Sequence, residues 1–210
     1  MLLISLSSIP AGQVAGEVFR KWTPGTLDIH QINTGIGNAA FLPDGTTMVV
    51  DAGHRRNLPS RATAPKPDAS RRPGEWIARY LRAMGAAAID YGYLTYFHDD
   101  HINAMVDVSS RIPVSKMLDR ARPDYHYPSV DHGEFQSPAF LEYRSWLKQG
   151  KTKAQRLVPG RSDQITLLRD AAKYPEFKIR NIAANGEVWT GAGAATTRHF
   201  LPLDALSRSE

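Results

Sequence analysis

The chain has 210 residues, of which 42% are hydrophobic and 22% charged, and its formal net charge is +5. This length allows one large domain or two small ones, and the composition excludes an intrinsically disordered chain. The absence of cysteine excludes disulfides and thiolate metal sites. No stretch approaches the ~20 consecutive apolar residues that a membrane-spanning helix needs.

The amino terminus leaves two interpretations open. Residues 1–11 are similar to the apolar region and small-residue end of a signal peptide, but they lack its basic start. They are either a short apolar lead-in or the remnant of an export signal that begins upstream. We therefore predict an N-terminal lead-in over residues 1–25 and a single domain over 26–210. The compartment stays open between the cytoplasm and export.

The first half of the chain predicts a strand, a hairpin, a helix and another strand. Residues 27–31 alternate in the manner of a strand, and further strands are predicted at 39–42, 46–50 and 89–95, with Pro43-Asp44-Gly45 as the hairpin turn. Residues 54–73 are rich in Pro, Arg and Ser and predict a loop. Pro73 suits the first position of a helix whose apolar residues recur at helical spacing, and Gly85 suits its end.

The second half continues the alternation of helices and strands. We predict helices at 100–108 and 139–149, an irregular segment at 122–138, and strands at 112–118, 164–168, 177–183 and 187–190. Asn185-Gly186 predicts a turn before the last of these strands, and residues 191–210 predict a loop leading toward a further strand. This order of elements indicates a mixed α/β (α+β) fold in one domain.

Residues 94–102 carry the strongest chemical signal in the sequence. His98, Asp100 and His101 fall within four positions, directly after the predicted strand 89–95. Imidazole nitrogens and carboxylate oxygens are the ligands that zinc and related divalent ions bind. The stretch therefore predicts a metal site, although Asp100 could instead only cap the following helix, with the histidines hydrogen-bonded nearby.

The order of three motifs resembles the metallo-β-lactamase superfamily. Asp51-Ala52-Gly53 follows a hairpin, a helix comes next, and the following strand ends in Thr95-x-x-His98-x-Asp100-His101. Residues 32–39, followed by Pro43-Asp44-Gly45, are similar to the branch related to DNA-uptake competence proteins. The resemblance implies an αββα sandwich with one or two metal ions at one edge. It also implies hydrolysis of an ester, amide or phosphoester by a metal-activated water.

The resemblance also implies a role for each residue of the motif. His98, Asp100 and His101 would bind the metal, and Asp100 would in addition act catalytically by helping to hold the attacking water. Asp51 would support the site from beneath, and Tyr96 is a second site-supporting candidate. Zinc is the expected ion, with iron or manganese as alternatives.

Two departures from the family pattern shape the functional expectation. Tyr96 occupies the position of the first histidine of the family, and a phenol is a poor zinc ligand because its reference pKa is near 10. It could instead pack among Tyr91, Tyr93 and Phe97. After Gly160 there is no Gly-Asp turn, and His199 is the only histidine. We therefore expect that this chain lacks the C-terminal part of the domain.

Two further segments could contact a substrate. His126 and His132 lie in the irregular segment and could shape a substrate pocket, or they could be ordinary exposed loop residues. The basic residues of 54–72 could attract an anionic small molecule or nucleic acid, or could form a solvated loop.

Three functional hypotheses follow. The first is a metal-dependent hydrolase of metallo-β-lactamase type with a small or anionic substrate. The second is a non-catalytic protein of the same fold whose degenerate metal site serves a binding role. The third is a basic nucleic-acid-binding module, which lacks any recognisable nucleic-acid motif. Oligomeric state is not indicated by the sequence.

Overall fold

The computed structural model describes residues 20–34, 36–53, 70–120, 122 and 137–199. Its main element is a six-stranded sheet with the strand order β1-β2-β3-β4-β5-β6. The strands are β1 (Asp28–Gln31), β2 (Ile36–Phe41), β3 (Thr47–Gly53), β4 (Ile89–Tyr93), β5 (Val114–Asp119) and β6 (Lys153–Arg156). The helices are α1 (Pro73–Ala83), α2 (Asp99–Ile102), α3 (Met105–Ser109) and α4 (Pro138–Lys148).

Strand direction changes at the middle of this sheet. β1, β2 and β3 form an antiparallel meander, whereas β3, β4, β5 and β6 are parallel to one another. Each parallel connection between β3 and β6 contains helix, as crossovers between parallel strands usually do. The carboxyl ends of four strands therefore meet at one edge of the sheet, and the residues that follow them are brought together there.

Both faces of the large sheet are covered. On one face, all four helices pack on strand residues such as Val49 and Met117. On the other face, Met48 and Leu118 pack against chain that follows β6, including Leu157, Ile165 and Leu167. Because side chains alternate along a strand, neighbouring residues such as Met48 and Val49 enter different cores.

A buried carboxylate attaches the chain after β6 to the first hairpin. Asp44, in the turn between β2 and β3, is only 9% exposed. Its side chain accepts hydrogen bonds from the backbone N–H groups of Thr46, Arg169 and Asp170. Burial alone would raise the pKa of Asp44, but these hydrogen bonds outweigh it and lower the pKa to about 2.

The remaining strands form a separate small sheet. β7 (Ala183–Ala184), β8 (Glu187–Trp189) and β9 (Thr196–Arg198) are antiparallel. The turn predicted at Asn185-Gly186 is confirmed, because both residues have positive φ, at 54° and 77°. β9 lies within the segment that we expected to lead toward a further strand.

The mixed α/β class is confirmed, with several local corrections. In the described part of the chain, helices cover only the large sheet, so the two outer helical layers of an αββα sandwich are not both seen. The predicted helix 100–108 is two short helices, α2 and α3. No helix in the described ranges is long and apolar enough to cross a membrane.

The strand predictions after α4 were partly wrong. Residues 164–168 and most of 177–183 have no strand partner, whereas β6 was missed. In 164–168, the backbone N–H of Leu168 donates to Thr46 Oγ1, and the backbone carbonyl of Gln164 accepts from Lys116 Nζ. Hydrogen bonds to side chains therefore hold this segment in place of backbone pairing with a strand. The sequence of β6, Lys-Ala-Gln-Arg, lacks β-branched residues, and pairing with β5 overrides that weak propensity.

The Asp44 contacts predict acid-sensitive stability. The folded pKa lies below the unfolded value of 3.8, so the contribution of this group is complete above about pH 4 and is lost as the pH falls toward 2. We expect Asp44→Asn to lower the free energy of unfolding by about 2 kcal/mol at pH 7 and to change little near pH 2. Urea denaturation at several pH values measures this. The matched control is Glu176→Gln at an exposed position, and equal pH dependence of all three proteins would contradict the prediction.

Candidate functional site

The site lies where β3 and β4 end, and Asp51 is its centre. Asp51 is 3% exposed and adopts a positive φ of 55° within β3. Non-glycine residues rarely adopt this conformation, although aspartate tolerates it better than most. Such strain persists only where surrounding contacts hold it, and it is concentrated at functional sites.

Both oxygens of Asp51 receive hydrogen bonds from the loop after β4. The backbone N–H of Thr95 donates to Oδ1 at 2.9 Å, and the Thr95 hydroxyl donates to Oδ2 at 2.8 Å. His101 Nδ1 lies 2.8 Å from the same Oδ2 and 3.1 Å from Thr95 Oγ1. Asp51 is therefore fully engaged in positioning the loop and its histidine.

The loop rests directly on the end of β3 because residue 53 is glycine. A Cβ at Gly53 would lie 1.8 Å from the carbonyl oxygen of Asp100 and 2.4 Å from the nitrogen of His101. The backbone N–H of Ala104 also donates to the carbonyl of Ala52 at 2.8 Å. The Asp51-Ala52-Gly53 motif therefore supplies both the carboxylate and the space that the loop requires.

The hydrogen bond to Asp51 determines which nitrogen of His101 remains available. With a carboxylate at 2.8 Å, Nδ1 is assigned as the protonated donor, which leaves the Nε2 lone pair for a ligand or a proton. Histidines that bind metals are commonly oriented in this way by a carboxylate. Burial, reinforced by the negative charge of Asp51, also raises the pKa of Tyr93 on β4.

Tyr96 packs against both histidines of the loop. Its ring centroid lies 4.1 Å from that of His101 and 4.5 Å from that of His98. This differs from the expected packing against Tyr91, which belongs to the core on the other sheet face. Tyr96 therefore lies as a ring beside the two imidazoles.

His98 and Asp100 lie at the start of α2. His98 is the N-cap residue and its side chain makes no capping hydrogen bond, while Asp100 lies inside the helix. Asp100 therefore does not occupy the N-cap position. Asp99 Oδ1 is buried and has no hydrogen-bond partner among the described residues. A cation or a water molecule would satisfy this oxygen.

The loop carries the types of side chain that bind a divalent cation, but the positions of these side chains fit such an ion less well. His98, Asp100 and His101 carry suitable donors, and Asp51 orients one of them. Within the described residues, however, no three His, Asp or Glu side chains are placed together to hold a metal ion. His54, His126 and His132 lie outside the described residues.

The basic stretch at 54–72 is described only at its end. Arg71 pairs with Glu75, and Arg72 lies 3.8 Å from Asp107. These two arginines are therefore partly neutralised by acidic neighbours. Nothing in the described part of the chain supports a nucleic-acid partner.

Thr95 is the site residue that sequence reasoning missed. It stands in the sequence motif without a role implied by the family resemblance, yet it provides two of the hydrogen bonds to Asp51. A hydroxyl residue directly after a strand, close in sequence to metal-type ligands, is the signal that could have indicated it.

The tight contact at Gly53 gives a testable prediction. We expect Gly53→Ala to destabilise the fold by about 2 to 3 kcal/mol, because the new methyl group would clash with backbone atoms of Asp100 that cannot rotate away as a side chain could. Gly150→Ala is the matched control. That glycine has a φ of +73° with open space around it, so only backbone strain of about 1 kcal/mol applies. Urea denaturation compares the two, and equal losses would show that the loop does not rest on Gly53.

Comparisons with known proteins add little to this geometry. No protein-family model matches the sequence, and no curated protein does. A crystal structure of the metallo-β-lactamase SMB-1 bound to 2-mercaptoethanesulfonate is similar over 67% of this chain and 47% of that protein, with a TM-score of 0.40 and 14% identity. This chain thus spans about half the length of that protein. The similarity is too low to establish a shared activity, and nothing in the comparisons supports the competence-related branch or a missing C-terminal part.

Proposed function

We propose that this chain is a metal-dependent hydrolase of metallo-β-lactamase type, with its site at the carboxyl ends of β3 and β4. The observation that carries the proposal is the 2.8 Å contact between Asp51 Oδ2 and His101 Nδ1. It fixes the imidazole and presents Nε2, as expected for a histidine that binds a metal or moves a proton.

The proposal assigns a role to each residue of the loop. His98, Asp100 and His101 would hold a divalent ion, with zinc expected and iron or manganese as alternatives. Asp51 would act through His101, and Thr95 would hold Asp51. The unsatisfied oxygen of Asp99 supports a cation near this loop, because a buried carboxylate oxygen without a partner is destabilising.

The chemistry of such a site is hydrolysis. A bound divalent ion supplies Lewis acidity and lowers the pKa of a water ligand toward neutrality. Asp100 would help to hold the attacking water, and His101 would keep a fixed orientation through Asp51. The proposed substrate class is an ester, amide or phosphoester, either a small molecule or an anionic one.

The finer predictions from the sequence remain predictions. The similarity of residues 32–39 and 43–45 to the competence-related branch concerns β2 and residues close to it in sequence. The assignment of a substrate pocket to His126 and His132 concerns residues that the structure does not describe.

A second candidate function is a binding role with a degenerate metal site. The position of Tyr96 favours it, because its ring fills space beside both His98 and His101. A phenol there removes one imidazole from the ligand set that the family resemblance implies. Under this alternative, Asp51, Thr95 and His101 would be a structural cluster that stabilises the loop.

Metal content tests the proposal directly. We expect the purified protein to retain zinc, or to take it up stoichiometrically after dialysis, as measured by elemental analysis. His101→Ala should abolish uptake, and Asp51→Asn should weaken zinc affinity by about 10- to 100-fold, because the histidine loses its orienting carboxylate. Release of product from a panel of phosphoesters, esters and amides should fall in parallel.

The control for that experiment is His199→Ala. This histidine lies after β9 and is exposed, so its removal should leave both zinc content and hydrolysis unchanged. Wild-type protein that binds no zinc, iron or manganese would contradict the metal-dependent proposal. Metal binding without hydrolysis of any substrate in the panel would favour the binding role.

Tyr96→His discriminates between the two candidates. If the site binds metal weakly because Tyr96 replaces a ligand, adding an imidazole at this position should tighten zinc binding by at least about tenfold, since a fourth donor completes the tetrahedral set that zinc prefers. Tyr96→Phe is the matched control, because it removes only the hydroxyl. Zinc titration with a competing chelator measures the affinities, and equal affinity for all three proteins would show that position 96 does not face the ion.

A further inference from the structure

The first strand of the large sheet, β1, has one open edge. It pairs with β2 on one side, and no described strand lies on the other. The backbone N–H of Ile32 donates to the carbonyl of Gly37 at 2.9 Å, so Ile32 and every second residue before it direct their backbone groups toward β2. The N–H and carbonyl groups of Ile29 and Gln31 therefore point away from β2, and no hydrogen bond from the described residues reaches them.

The side chains at this edge are apolar on one face of the sheet. Ile29 is 73% exposed and Leu27 is 49% exposed. Because side chains alternate along a strand, Ile29 lies on the opposite face from His30, which contacts Tyr80 of α1. The residue paired with Ile29 on β2, Ala40, packs against the core formed by the chain after β6. That cover therefore reaches β2 but leaves Ile29 on β1 exposed.

The opposite edge of the same sheet is protected against pairing, whereas β1 is not. β6 has the sequence Lys-Ala-Gln-Arg, and Lys153 is exposed. Charged side chains, lysine above all, commonly keep edge strands from pairing with other chains. β1 has neither lysine nor arginine, and its single charged residue is Asp28. Unpaired backbone groups, an exposed isoleucine and little charge suit this edge to accept another strand.

The order of residues along β1 favours a second copy of the same strand as the partner. In an antiparallel pair, outward-facing residues meet outward-facing residues, so a twofold axis can pass between Ile29 and Ile29 of the second copy. This register places the two isoleucine side chains directly opposite one another on the same face. It also places Asp28 opposite His30 of the second copy. A twofold axis at Asp28 would instead bring two carboxylates together, which is destabilising.

We propose that β1 pairs with β1 of a second copy of this chain, antiparallel and centred on Ile29, so that the two large sheets become continuous. The interface formed by this strand alone is small, so we expect reversible association with a Kd of about 0.1 to 1 mM. This inference is independent of the hydrolase proposal, because no residue of the Asp51–His101 cluster belongs to β1.

Sedimentation velocity of the full chain over a range of concentrations tests the pairing. We expect a shift from monomer to dimer as the concentration rises. Ile29→Lys should weaken association at least about tenfold, because it places two like charges directly opposite one another. Leu141→Lys is the matched control. Leu141 is 49% exposed on α4, so the same charge there should leave the dimer intact.

A cysteine cross-link tests the register. The sequence contains no cysteine, so Ile29→Cys introduces a single thiol. Directly opposite residues of an antiparallel hydrogen-bonded pair have Cα atoms about 5.5 Å apart, which is within the range that a disulfide spans. We expect mild oxidation to give a covalent dimer of Ile29→Cys at concentrations at which Leu141→Cys gives none. Equal cross-linking of the two variants would contradict the register.

Amide hydrogen exchange separates a second copy from other occupants of the edge. Exchange at Ile29 and Gln31 should slow as the concentration rises, while His30, whose N–H already faces β2, is the internal reference. Three outcomes would overturn the inference. Rapid exchange in a monomer at every concentration would leave the edge to water, and slow exchange in a monomer would assign it to another segment of the same chain. A dimer unaffected by Ile29→Lys would place the contact on another surface.

Discussion

The carboxylate of Asp51 is the constraint on which the rest of the site depends. It contacts Thr95, which is 44 positions later in the sequence, and His101, which is 50 positions later, at distances of 2.8 to 2.9 Å. A buried aspartate is tolerated only when its oxygens are satisfied, and here one loop satisfies them all. The same contacts hold the unusual φ of residue 51. The position of the loop, the orientation of His101 and the backbone strain at Asp51 therefore depend on one another.

Buried aspartates recur at the turns and strand ends of the large sheet. Asp44 holds the chain near residue 169, and Asp90 accepts from Thr47 and from Arg169. Asp119 is fully buried at the end of β5 and accepts from Tyr143 on α4. Each joins segments distant in sequence through bonds with defined geometry. Polar contacts of this kind specify which segments meet, while the two apolar cores supply most of the driving force.

Much of the first half of the fold could be predicted because its signals are local. The turn at Pro43-Asp44-Gly45, the proline at the start of α1 and the apolar run in β3 each specify their own element. β6 and the segment 164–168 could not be predicted in this way. A strand without β-branched residues forms because β5 offers a partner, and an extended segment is held by side chains such as Lys116. Both outcomes depend on distant parts of the chain.

The residue types of the site could be predicted from the sequence, but their arrangement only in part. The family resemblance implied that Asp51 lies beneath the loop that carries His98 and His101, and in the structure Asp51 Oδ2 lies 2.8 Å from His101 Nδ1. The sequence could not reveal that Asp51 would be saturated by Thr95, or that Tyr96 would lie against both imidazoles. Those outcomes depend on the close contact at Gly53, which sets how far the loop descends onto the strand.

The long separation between Asp51 and Thr95 also has a consequence for the order of events in folding. A contact across 44 residues requires closure of a large loop before it contributes free energy. The site cannot exist in a chain whose β3 and β4 have not yet paired, so its geometry reports on completed assembly of the sheet. Conversely, any ligand that needs Asp51 and His101 side by side binds only the folded chain. Such a ligand would therefore stabilise the sheet as a whole against unfolding.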